Sequence, residues 1–152
     1  MEDKLKQRRN FFRDAVSALD YLEKEMMQRR VAMTESLYET SCIVNDPWKR
    51  ILCELSERVR EYAGNTFAEL WEACIKQNLS RDFLRDTEWQ ALLRIPAALS
   101  GSDTEIQQTL IKSCLEHMKE LEQKAAEEYE IRGKLYQRLS VLAAAFLILV
   151  LI

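Results

Sequence analysis

Apolar side chains recur along most of the chain at intervals of three and four, the spacing that lines one face of a helix. Leu5, Phe12, Val16, Leu19, Leu22 and Met26 share such a face and predict one long amphipathic helix over residues 4–31. A second, short helix is expected from Thr34, whose hydroxyl suits an N-cap, to about Ile43, with Leu37 and Tyr38 facing inward. Asn45 and Asp46 ahead of Pro47 have the composition of a cap followed by proline at the first helical position. A third helix should therefore run from Pro47 to about Tyr62, where Gly64 stops it. Thr66 and Glu69 have capping-box spacing and open a fourth helix through Leu70, Trp71, Cys74 and Ile75 to about Leu79. Asp82 or Asp86 starts a fifth, carrying Trp89, Leu92 and Leu93, bent at Pro96 and ended by Gly101. The last helix begins at a second capping-box pair, Ser102 and Glu105. It carries Ile106, Leu110, Cys114, Met118 with Leu115 beside it, Leu121, Ala125 and Tyr129 as an apolar stripe on an acidic surface.

From Leu139 to Ile152 the pattern changes: these 14 residues carry no charge, and the last 12 carry no hydroxyl. A helix apolar on every side has no face for water and must be buried in protein or lipid. At about 1.5 Å per residue the run is roughly 21 Å long, short of a hydrocarbon layer of about 30 Å, and length alone favours a terminal core helix. The flanks argue for the membrane. Arg132, Lys134 and Arg138 precede the run with Tyr136 among them, the arrangement of an interfacial anchor. With Leu135 and Tyr136 in the interface and Arg138 snorkelling, the segment covers about 27 Å, which a locally thinned bilayer accepts. Basic residues on the upstream side alone keep residues 1–138 in the cytoplasm and point the C-terminus outward. No stop signal other than Gly133, which costs a helix about 1 kcal/mol relative to Ala and is a candidate bend, separates the acidic helix from this anchor.

Composition narrows the fold class to all-α. Among 152 residues there are 3 Gly and 2 Pro, too few to punctuate a set of β-hairpins. The 22 Lys and Arg against 25 Asp and Glu leave a formal charge of -3, which gives no electrostatic footprint for nucleic acid. Charge is nevertheless uneven: Lys4, Lys6, Arg8 and Arg9 form a basic run at the start, whereas residues 103–130 carry 8 acids and 3 lysines. The basic run suits anionic lipid headgroups, at about 1 kcal/mol per cation, or is an ordinary solvated helix start. Cys42, Cys53, Cys74 and Cys114 lack CxxC pairing and a secretory signal, so they are expected to be reduced and mostly buried.

Nothing in the chain spells out catalysis. The single histidine, His117, has only Cys114 nearby as a soft ligand, too few for a zinc site. Phosphate-binding loops, nucleophile elbows and zincin helices are absent, so no cofactor, metal or small-molecule substrate is expected. Glu127 and Glu128 belong to a solvated acidic face, which alternatively docks a basic partner. Trp48, Trp71 and Trp89 lie on three helices among apolar neighbours and are expected as core anchors.

The order of features resembles the stage III sporulation protein AB family. The likeness rests on the basic flank before a long helix, Leu70-Trp71-Glu72-Ala73, Leu99-Ser100-Gly101-Ser102-Asp103 followed by Gln107, and Lys134-Leu135-Tyr136 leading into the hydrophobic end. The resemblance implies a membrane protein whose cytoplasmic helical domain is similar to the platform subunit of type II secretion systems. It further implies a sporulation-specific complex at the mother-cell membrane around the forespore, working beside a sibling secretion-type ATPase and supporting forespore development. Leu70, Trp71, Leu99, Gly101, Ser102, Asp103 and Gln107 are carried over as structural motif residues, and Arg138, Leu139, Phe146 and Ile152 mark the anchor. Family members usually have a hydrophobic segment immediately before the basic run, where this chain has Met1-Glu2-Asp3. Whether the start is trimmed or one anchor is kept, the basic flank puts residues 4–13 on the cytoplasmic side.

The expectation is thus a bundle of about six helices over residues 1–133 and an anchor over 134–152. Its role is that of a non-enzymatic platform docking the ATPase and other subunits. The alternative is a generic tail-anchored adaptor that uses the acidic last helix as a coiled-coil seam.

Overall fold

In the computed structural model, which describes residues 2–61 and 64–152, the face predicted for the first helix organises the molecule. Helix α1 (Glu2–Glu23) buries Phe11, Phe12, Ala15, Ala18, Leu19 and Leu22. Leu5, Val16 and Met26 are only half-buried. The buried surface is wider than a single stripe because α1 is covered by three other helices, α2, α3 and α7. A π-helical turn (Lys24–Gln28) extends it, and Arg30, at φ 55°, reverses the chain while the Val31 N–H donates to the Glu25 carbonyl at 2.8 Å.

Helix α2 (Met33–Ser41) starts at Ala32 without a side-chain cap, so Thr34 lies inside the first turn and does not cap it. Leu37 is buried as expected, whereas Tyr38 is exposed, with the Arg60 guanidinium 6.0 Å from its ring centre. Helix α3 (Trp48–Glu61) begins one residue later than Pro47: the Asn45 and Pro47 carbonyls accept from the Lys49 and Ile51 N–H groups, both at 3.0 Å. The expected end at Tyr62 lies outside the described residues. Gly64 adopts φ 79°, a left-handed conformation that glycine enters without strain.

In helix α4 (Phe67–Asn78) the Thr66 hydroxyl accepts from the Glu69 N–H at 3.2 Å. The predicted fifth helix is divided. Helix α5 (Asp86–Leu93) ends at Arg94, and α6 (Ile95–Leu99) holds Pro96 in its first turn, where a missing N–H leaves no bond unmade. Helix α7 (Thr104–Leu151) runs unbroken through Gly133 for 48 residues, about 72 Å. All regular structure among the described residues is helical.

The face that α7 buries is Gln107, Ile111, Leu115, Met118, Leu121 and Ala125. Its first turns are rotated from the predicted stripe, leaving Ile106 59% and Leu110 41% exposed. The rotation follows from the corner with α6, where the Gln107 amide donates to the Leu99 carbonyl at 2.6 Å and draws that side inward. Helices α1 and α7 are antiparallel: Gln108 lies 3.4 Å from the Glu23 carboxylate at one end, and Arg9 stacks on Tyr129 at the other. Around this pair, Trp48 and Trp71 are fully buried and donate their indole N–H groups to the Phe11 and Leu92 carbonyls at 2.9 and 3.0 Å. Trp89 is only partly buried, at the edge of the core.

Candidate functional site

The surface most unlike that of an ordinary domain is the end of the bundle from which α7 emerges. Ala125 is the last buried residue of α7, and one turn on, the Arg9 guanidinium of α1 lies 4.5 Å from the ring centre of Tyr129. From residue 134 onward every side chain of the helix is exposed. Arg138 and Leu139 are exposed, Phe146 is 67% exposed and Ile152 is 96% exposed. The segment is long and apolar enough to cross a membrane, and none of its most apolar 18-residue window is buried. Arg138 closes the charged part of α7, and Leu139 begins the apolar part. The alternative of a terminal helix tucked into the core is overturned, since every side chain from 134 to 152 is exposed.

Below this exit two charged contacts fasten the bundle. The Arg8 guanidinium donates to Glu88 Oε2 and to the Phe83 carbonyl, both at 2.7 Å, with both side chains of the ion pair buried. Glu88 also accepts from the Arg85 N–H at 2.8 Å, and Arg85 in turn reaches Glu128 on α7 at 2.9 Å. Sequence reasoning places Arg8 in a basic run that either meets lipid headgroups or is solvated, and the fold instead buries it. No local signal identifies it, because its partner lies 80 positions away in the chain. Beside the Arg85 contact an open cleft of about 360 Å³ is lined by α1, the segment before α5, and α7, with Lys4 and Arg132 on its walls.

The motif carried by residues 99–107 forms the opposite corner. Leu99 is buried, and its carbonyl is held by Gln107, itself buried. Asp103 caps α7, with Oδ1 accepting from the Glu105 and Ile106 N–H groups at 3.0 and 3.3 Å. Ser102, predicted as the cap, is exposed and one position too early; a carboxylate also suits the positive helix end better than a hydroxyl. Gly101 sits against Gln107, where an added Cβ would lie 3.6 Å from the Gln107 Cβ. Leu70 and Trp71 are not part of this corner but belong to the core under α4, although the Trp71 indole bonds to α5 nearby.

A further polar cluster was invisible in sequence. Glu25, in the π-helical turn, is buried, with Oε1 taking the Arg29 guanidinium at 2.7 Å and Oε2 buried without a hydrogen-bond partner. The neighbouring Glu25 carboxylate, and then burial, push the Glu39 carboxyl of α2 above its ordinary range. The cysteines correct another expectation. Only Cys74 is buried; Cys53 and Cys114 are half-buried, and Cys42, at the end of α2, is exposed. All are free, and burial raises the thiol pKa of Cys74 and Cys114. His117 is exposed on α7, and the described residues contain no cluster of metal-ligating side chains.

The profile of the stage III sporulation protein AB family matches residues 1–152. The chain belongs to that family. Its fold is similar to a solved structure of stage III sporulation protein AB, SpoIIIAB, with a TM-score of 0.71 and 22% identity. That match covers 82% of this chain and 97% of the other. No curated protein sequence matches the chain. As a stage III sporulation protein AB family member it has a role in sporulation, and its last helix makes it a candidate membrane protein.

Proposed function

We propose that this chain is a non-enzymatic platform of a sporulation-specific, secretion-like membrane complex. In this reading residues 1–133 form a cytoplasmic bundle, and residues 134–152 anchor it in lipid with the C-terminus outward. The bundle docks a sibling secretion-type ATPase and other subunits of the complex. Its membrane is that of the mother cell around the forespore. The observation that carries the reading is the exposed apolar end of α7, which leaves a helical body whose own core is already complete.

The competing adaptor would offer the acidic helix as a coiled-coil seam. Against it stands the use of that seam within the chain itself: Met118, Leu121 and Ala125 are buried in this molecule's own bundle. Leu99, Gly101, Ser102, Asp103 and Gln107 act, in this proposal, as a corner that sets the angle at which α7 leaves α6. Leu70 and Trp71 support it from the core. The test is capture of the sibling ATPase by the full-length chain in detergent, together with deletion of the gene scored for spore formation. Binding and a sporulation defect are expected. No binding with normal sporulation overturns the platform role.

A further inference from the structure

Two basic stretches that are far apart in sequence meet at one level of the molecule. Antiparallel packing of α1 on α7 sets Lys4 and Arg132 on the walls of one cleft, with Arg9 stacked on Tyr129 a turn deeper. Lys4, Lys6, Lys134 and Arg138 are all exposed. After Glu130, α7 carries no further acid, and α1 carries none between Lys4 and Arg13. Glu2 and Asp3 oppose these cations at the start of α1. Asp82 and Glu128 also line the cleft, Glu128 already paired with Arg85, so the five cations Lys4, Lys6, Arg132, Lys134 and Arg138 outnumber the acids that share it.

The collar also lies at the right height. Arg132 precedes Arg138 by six positions, about 9 Å along the helix, which is about one Debye length in physiological salt. Cations at that distance from the hydrocarbon edge feel the negative potential of acidic headgroups, at roughly fivefold in affinity per charge. The basic stretch of α1 is therefore more than a solvated helix start, because the fold carries it to the side from which the apolar segment departs.

We propose that Lys4 and Lys6 of α1, together with Arg132, Lys134 and Arg138 of α7, form a docking surface for the headgroups of anionic phospholipid, fixing how the bundle stands on the bilayer. The proposal rests on insertion of the α7 end in lipid and adds a lipid preference to it. The test uses the full-length chain and vesicles of phosphatidylcholine alone or with about one third phosphatidylglycerol. Flotation reports the anchor, and amine labelling of Lys4 and Lys6 relative to the distant Lys119 reports the collar.

Flotation with both vesicles is expected, with labelling of Lys4 and Lys6 slowed several-fold by phosphatidylglycerol and restored by about 0.5 M salt. The Lys4→Glu/Lys6→Glu variant alters two exposed side chains. It should float on phosphatidylcholine like the parent, and at limiting lipid lose on the order of tenfold of the parent's gain from phosphatidylglycerol. Equal labelling on the two vesicles, or an unchanged gain in the variant, overturns the collar and leaves the anchor standing. Absence of flotation on either vesicle overturns both.

Discussion

The Arg8–Glu88 pair makes the bundle sensitive to a single charged residue. Both side chains are buried, and Glu88 answers the Arg85 N–H as well, so truncating Glu88 strands the Arg8 charge and a backbone donor together. Glu88→Ala is expected to destabilise by about 3 to 5 kcal/mol in urea unfolding, whereas replacing both partners by apolar residues should cost far less. Asp14 behaves differently. Burial raises its carboxyl pKa, with the Arg13 charge acting the other way, so the folded chain holds the proton more tightly than the unfolded one. Stability contributed by the protonated form is therefore lost as pH rises above the unfolded value of 3.8 through the raised folded one. Asp14→Asn should raise the melting temperature relative to the parent at pH 7, and the gain should shrink toward pH 4. A gain independent of pH would disprove the burial account. Neither residue announces itself in the sequence: Arg8 sits in a basic run, and Asp14 is an acid on an amphipathic helix. Each is decided by what the fold brings over it.

Helix existence and approximate extent were legible because period, caps and breakers agree along most of the chain. Thr66 is a case in which local chemistry decides, since its hydroxyl and the Glu69 N–H belong to the same turn. The register at helix starts was less legible, because it depends on contacts between elements. Ile106 and Leu110 fit the stripe by spacing, yet Gln107 is drawn inward by a carbonyl of α6, and a polar residue takes the place that periodicity reserved for an apolar one. The same corner separates two neighbouring residues. Asp103→Ala removes the acceptor for two orphan N–H groups of α7 and should cost about 1 kcal/mol by chemical denaturation, within a range of roughly 0.5 to 2. Ser102→Ala, at an exposed position that accepts neither, should stay within about 0.5 kcal/mol of the parent. Equal costs would show that Ser102 shares the cap in solution.

A helix about 72 Å long, half inside a bundle and half outside, has its two parts stabilised by different media. Residues 104–125 are held by α1, α5 and α6, so their burial belongs to folding. Residues 139–152 touch nothing in the chain, and in water their exposed apolar surface is an aggregation liability unless lipid or a partner covers it. That division was readable from sequence in outline, because an all-round apolar helix has no other stable setting. Its placement outside the core was legible from the cations and Tyr136 that precede it and not from its length, since a 14-residue run also fits a buried terminal helix. Phe146→Arg distinguishes the two settings. Phe146 is 67% exposed, so the substitution breaks no contact within the bundle, and the thermal unfolding midpoint of residues 1–133 in detergent should be unchanged. In a membrane, a charge at the centre of the span opposes insertion by about 2.5 to 3.5 kcal/mol, enough to move most of the protein out of the membrane pellet into the soluble or aggregated fraction. Were the apolar end instead packed on the bundle in solution, the same change would lower the unfolding midpoint by an amount typical of a buried charge and leave the fractionation as it was.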